Sequence, residues 1–127
     1  MKLDPFVRVD DTPFSASREE VVKMRGTPTR TCRNGVGLHE LDYDEVVYRF
    51  QDSGRLEEVT LPAPVVHIGE AAVPFDDLAS FIRSHDKGAF DRAGFLVSPR
   101  FGLAFVPEEP CWVTALAAHC LDTWRAL

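Results

Sequence analysis

The stretch SREEVVKMRGTP (Ser17–Pro28), followed by GLHELDYDEVVYRFQDSGRLEEVTL (Gly37–Leu61), decides how this chain is read. Ser17 and Glu20 form a capping box, in which the serine oxygen accepts the Glu20 backbone N–H and the glutamate reaches back. A short helix therefore starts at Ser17. Val21, Val22 and Met24 give it an apolar side, and Gly26 with Pro28 stops it, because glycine takes φ > 0 and proline cannot continue a helix. Thr29 to Gly35 reads as a loop. His39, Leu41 and Tyr43 then share one parity, as do Val46, Tyr48 and Phe50, which is the alternation of half-buried strands. Asp44 and Glu45 mark the turn between them. Asp52-Ser53-Gly54 fits a three-residue hairpin loop with glycine at the left-handed position, leading into a third strand that ends near Leu61.

Beyond this stretch, Pro62 and Pro64 precede a short β-rich segment, Val65 to Ile68. Phe75, Leu78, Phe81 and Ile82 fall on one helical face, with Asp76 and Asp77 in the first turn where the helix dipole favours carboxylates. Asp86-Lys-Gly88 ends that helix, and Ala89 to Gly94 reads as one more turn. Phe95–Val97 and Phe101–Val106 form a hairpin around Pro99-Arg100, whose Gly102 and Ala104 give a small-residue face that another element can approach closely. Pro110 suits the first position of a last helix, read from Cys111 to about Arg125. Leu116 and Cys120 would lie on its apolar side, and Thr114, Ala118, Asp122 and Arg125 would face outward.

This order predicts a single α+β domain over residues 1–127, an antiparallel sheet packed on one face by two or three helices. Helix then aromatic-rich hairpin occurs twice, but no residue-level repeat accompanies it.

At 127 residues with 45% hydrophobic content, the chain is long enough for one core. Its formal charge of -6 repels phosphate backbones and anionic membranes and favours basic partners. Nucleic acid and membrane are therefore not expected partners. Cys32, Cys111 and Cys120 are an odd number without paired spacing, which suits reduced thiols. Charges interrupt every apolar run at the N-terminus, so the sequence reads as a cytoplasmic protein without a leader.

Few residues carry chemistry. Arg30 and Arg33 flank Cys32 and would lower its thiol pKa, yet no motif supplies a histidine and acid partner. His119 and Cys120 are adjacent, and adjacent helical residues point about 100° apart, so no metal and no cofactor is expected. His39 and His67 complete the titratable candidates. The acidic group Asp42, Asp44, Glu45, Asp52, Glu57 and Glu58 crowds the three strands, with Tyr43 and Tyr48 among them. A solvated sheet face explains it, and so does an acidic docking surface anchored by the tyrosines.

The segment over residues 15–60, through Ser17–Pro28, Leu41-Asp-Tyr43, Val47–Phe50 and Gly54–Val59, resembles the SmpA/BamE module, the building block of β-lactamase inhibitory proteins. That resemblance implies a protein-binding scaffold with no chemistry of its own. A small, acidic scaffold without a leader is also similar in type to the immunity proteins that bacteria encode beside secreted toxins, including type VI effectors. The expected function is thus a cytosolic immunity protein that covers a toxin domain with a basic surface. The alternative is a small enzyme or ligand-binding protein with a pocket between helices and sheet.

Overall fold

The computed structural model describes all residues, 1–127, and is mostly β. Its strands are β1 (Lys2–Asp4), β2 (Arg8–Val9), β3 (Thr12–Pro13), β4 (Arg30–Arg33), β5 (His39–Asp42), β6 (Val47–Phe50) and β7 (Leu56–Pro62). The second half adds β8 (Val65–Ile68), β9 (Ala71–Pro74), β10 (Phe90–Arg92), β11 (Phe95–Ser98), β12 (Leu103–Phe105) and β13 (Trp112–Leu116). Helices are α1 (Arg18–Arg25), α2 (Phe75–His85) and the C-terminal α3 (Leu121–Ala126), entered through a 3-10 turn, Ala118–Cys120. Two sheets result, one of five strands in the order β3-β2-β1-β8-β9 and one of eight in the order β10-β11-β12-β13-β7-β6-β5-β4. The expectation of one antiparallel sheet covered by two or three helices is therefore overturned.

The topology is a duplication. Each half consists of a hairpin, a helix and a four-stranded meander: β1-β2, α1 and β4–β7, then β8-β9, α2 and β10–β13. The hairpins join through their first strands, β1 and β8, which pair in parallel, and the meanders join through their last, β7 and β13, which pair antiparallel. Strands β5, β6 and β7 each begin 56 residues before β11, β12 and β13. Val59 and Ala115, separated by that same interval, pair with each other in the centre of the large sheet. The repeated helix and hairpin seen in the sequence thus correspond to two structurally matched halves.

The main core lies between the sheets. Leu41, Tyr48, Phe50, Val59, Leu103, Phe105, Val113 and Ala115 project inward from the large sheet onto Leu3, Val9, Val66 and Val73 of the small one. Val21 of α1 and Phe75, Leu78 and Ile82 of α2 join the same core. The capping box is formed, with both Ser17–Glu20 bonds at 3.1 Å, and Gly26 ends α1 at φ 85. α2 covers 75–85 as the spacing predicts.

Five segments depart from the sequence reading. Trp112–Leu116 is a central strand and not the start of a helix. Val113 and Ala115 face the core while Thr114 and Leu116 are buried on the opposite side, and a strand buried on both faces lacks the period-2 signature. The terminal helix shrinks to six residues. Ala89 to Gly94 is not a helical turn: Phe90–Arg92 is an edge strand, and Ala93 and Gly94, at φ 53 and 87, make the turn into β11. Two successive positive φ values are what a tight hairpin needs to match the strand twist. Arg30–Arg33, read as loop, is the other edge strand, and all four of its residues are exposed, so no apolar alternation marks it. The strand read over Phe101–Val106 narrows to Leu103–Phe105. Gly102 instead turns at φ +64, and a Cβ there would come 2.8 Å from Cε1 of Phe6. That close approach is the contact the small residue permits.

Candidate functional site

The outer faces of the two meanders differ. On the second, Val97, Ala104 and Leu116 are covered by Ala117, Cys120 and Trp124 of the C-terminal segment, with Phe95 edge-on to Trp124 at 5.1 Å. On the first, the outer face is polar and meets the C-terminal segment only along its β7 margin. Strand register places Cys32, Glu40, Arg49, Glu58 and Leu116 in one row across β4-β5-β6-β7-β13. Arg30, Asp42, Val47, Thr60 and Thr114 form the next row.

These side chains are locked together. Arg49 donates Nε to Glu40 at 2.8 Å and Nη1 to Thr60 at 2.6 Å, and lies 3.4 Å from Glu58. Thr60 and Thr114 share a bond of 2.8 Å, and the Trp124 indole N–H donates to Glu58 at 3.0 Å. Burial pushes the Glu58 carboxyl up against the pull of Arg49. Burial also opposes ionisation of Glu40, but hydrogen bonds from Arg49 and Asn34 outweigh it and hold this carboxyl below its ordinary range. A cleft of about 220 Å³ bounded by Arg49, Glu58, Thr60, Trp112 and Trp124 closes one end of this face. Trp112 is 43% exposed there.

The residues singled out in the sequence scatter over three settings. Asp42, Asp44 and Glu45 sit at the β5-β6 turn at the margin of the open face. Asp42 and Asp44 bind the Arg30 guanidinium at 2.8 and 3.3 Å, and the Asp44 backbone N–H together with Arg30 holds the Asp42 carboxyl below its usual range. Asp52 is exposed at the opposite turn, where Arg33 and His39 hold its carboxyl down from 2.9 and 2.7 Å. Glu58 belongs to the open face.

Three placements correct the sequence reading. Tyr48 is 1% exposed, its hydroxyl held by Thr12 and Arg25 in the core, and cannot anchor a partner. Tyr43 leans inward on it, ring centroids 6.0 Å apart, and donates to the Gly26 carbonyl. Glu57 is 4% exposed and lies beneath the C-terminal turn. The aromatic groups beside the open face are instead Trp112 and Trp124, which the expected terminal helix concealed.

The Cys32 thiol is exposed, but desolvation and the Glu40 carboxylate push its pKa up, the opposite of the activation its arginine neighbours imply. His39 is taken up by Asp52, and His67 stands exposed on β8 away from both.

Glu57 occupies a β-bulge, where the register shifts between Arg49 and Phe50 and leaves it without a cross-strand partner. The bulge turns its side chain toward the C-terminal segment. Its Oε1 lies 2.7 Å from His119 Nε2, its Oε2 receives the Cys120 thiol, and its backbone carbonyl accepts from Ala117 at 2.9 Å and from Cys120 at 3.1 Å. The Glu57, His119 and Cys120 donor atoms all lie within 4.8 Å of one another. The two neighbours that were set aside as a ligand pair thus converge on a third residue, 62 positions before His119 in the chain. A cavity of about 350 Å³ between α3 and the sheet opens beside them, lined by Val36, Leu38, Glu57, Cys120, Trp124 and Leu127.

No helix is long and apolar enough to cross a membrane. No family model matches the chain, and neither a curated protein nor a solved structure matches it.

Proposed function

We propose that this protein is a cytosolic immunity protein that binds a cognate secreted toxin domain and occludes it, with the open face of the first meander as its docking surface. The observation that carries the reading is the contrast between two outer faces: one is sealed by the C-terminal segment, and the other meets that segment only along its β7 margin and keeps its charges already positioned. Across that open face and its cleft, Glu40, Asp42, Glu58 and Glu109 outnumber Arg30 and Arg49. With the acidic turn Asp44-Glu45 alongside, the face complements a basic partner, which speeds association and disfavours acidic competitors. Trp112 supplies the exposed aromatic group around which binding energy concentrates. Preset ion pairs also lower the cost of ordering side chains on docking.

Affinity purification from the native host followed by mass spectrometry tests this. A stoichiometric basic toxin domain, released when the Asp42, Asp44 and Glu45 charges are reversed, is the expected result. Recovery of a bound metabolite alone would overturn it. That second outcome would favour a ligand-binding protein, for which the cavity of about 350 Å³ under α3 is the supporting observation.

A further inference from the structure

We propose that Glu57, His119 and Cys120 form a binding site for one zinc ion, which fastens the C-terminal segment to the bulge of β7. The two parts come from opposite ends of the fold's logic, a bulged central strand and the 3-10 turn after the last strand, and nothing in local sequence forces them together. They nevertheless present sulfur, nitrogen and oxygen donors within 4.8 Å of one another. This mixed set suits zinc, whereas magnesium and calcium take oxygen ligands only. Zinc bonds of roughly 2.0–2.3 Å place tetrahedral ligand atoms roughly 3–4 Å apart, a spacing these side chains reach by small rotations.

A second observation points to a ligand. Glu57 is 4% exposed, and its Oε1 has no hydrogen-bond partner, because His119 Nε2 approaches to 2.7 Å without the alignment of a hydrogen bond. A buried carboxylate oxygen without a hydrogen bond, grouped with an imidazole nitrogen and a thiol, is a donor set that a shared cation would satisfy. The other cation near Glu57 is Arg55, whose Nε is 3.6 Å from Oε1 on a side chain 53% exposed, free to swing into solvent. Glu57 and Cys120 also line the cavity under α3, which leaves room for a water or a ligand as fourth donor. Three protein ligands with one open position are the arrangement of zinc sites that bind a further molecule.

The test uses the full chain, freed of metal with a chelator and titrated with zinc against a chromophoric competitor, with cobalt(II) as a spectroscopic probe. One equivalent of zinc per chain is expected, with a thiolate-to-cobalt charge-transfer band. His119→Ala, checked for an unchanged fold by circular dichroism, should weaken zinc by more than the roughly 10–100-fold typical of losing an outer partner of a ligand. Cys120→Ser should abolish the cobalt band, whereas Cys32→Ser and Cys111→Ser should leave both readouts unchanged. No stoichiometric zinc, or zinc affinity unaltered in His119→Ala, would overturn the proposal. So would a cobalt band that survives Cys120→Ser or disappears with Cys32→Ser.

Discussion

The two meanders share strand order and most of their strand spacing, yet they use their outer faces in opposite ways. β10–β13 put Val97, Ala104 and Leu116 outward and need the C-terminal segment to cover them. β4–β7 put Glu40, Arg49, Glu58 and Thr60 outward and satisfy them laterally, within the sheet. One backbone plan therefore carries two solutions to the same problem, burial in the first case and cross-strand pairing in the second. The pairing solution leaves a surface free for another molecule.

Removing the cover should have the largest effect. Trp124→Ala is expected to cost about 3–5 kcal/mol, as for other large-to-small changes in a packed cluster, measured by chemical denaturation. A truncation on the outer face of the first meander, Val47→Ala, should stay within about 1 kcal/mol, because Val47 is half-buried and belongs to neither apolar cluster. Equal losses would erase the contrast.

Next comes the contact between the N-terminal hairpin and the second half. Gly102→Ala adds a Cβ 2.8 Å from Cε1 of Phe6 at a residue with φ +64, and should cost about 1–3 kcal/mol. Phe6→Ala in the same chain should recover the steric part, so the double-mutant cycle should show coupling. Strict additivity would mean that the hairpin does not seat there.

Arg49→Met probes the pairing solution. It leaves Glu40 and Glu58 facing each other without their shared guanidinium and should cost about 1–3 kcal/mol at pH 7.5. Burial already raises the folded-state pKa of Glu58 above its unfolded value, so Glu58 weakens the fold as pH rises through the folded pKa. Acidification protonates it first, and the penalty of Arg49→Met should shrink between pH 7.5 and pH 5. Asp42 and Asp52 have the opposite sign: their folded pKa values are lowered, so their contribution is present above the unfolded pKa and lost as pH falls through the folded one. A penalty that grows on mild acidification would contradict the network.

The smallest effect on stability belongs to Asp42, Asp44 and Glu45. Asp44 and Glu45 are exposed, and reversing them should leave the denaturation midpoint nearly unchanged, whereas reversing Asp42 also loses its bonds to Arg30 and the Asp44 N–H. The triple reversal should slow association with the partner by about tenfold at low salt. Unchanged kinetics would remove that turn from the interface.

The legible parts of the fold were those fixed by local chemistry. Ser17 and Glu20 announce α1 because a capping box is satisfied within four residues, and the Phe75, Leu78 and Ile82 stripe announces α2. The illegible parts depended on distant partners. Trp112–Leu116 lacks alternation because α3 buries its outward face, and β4 lacks it because neither face is buried. The duplication is carried by strand order and strand spacing, with no repeated residues to reveal it. At the site, Asp42 and Glu58 were found from their alternation, whereas Tyr48 was misplaced because its parity marks burial and its hydroxyl does not. Glu57 could be linked to His119 and Cys120 only through the β7–β13 pairing that brings them together.

The central claim, that a protein partner docks on the open outer face of the first meander, is tested most directly by photo-crosslinking in the native host. A photoreactive phenylalanine would replace Val47 on that face in one chain and His67 on the far side of the small sheet in another. The account expects the Val47 position to capture a basic protein at high yield and the His67 position to capture none. Capture from His67 with none from Val47 would contradict it.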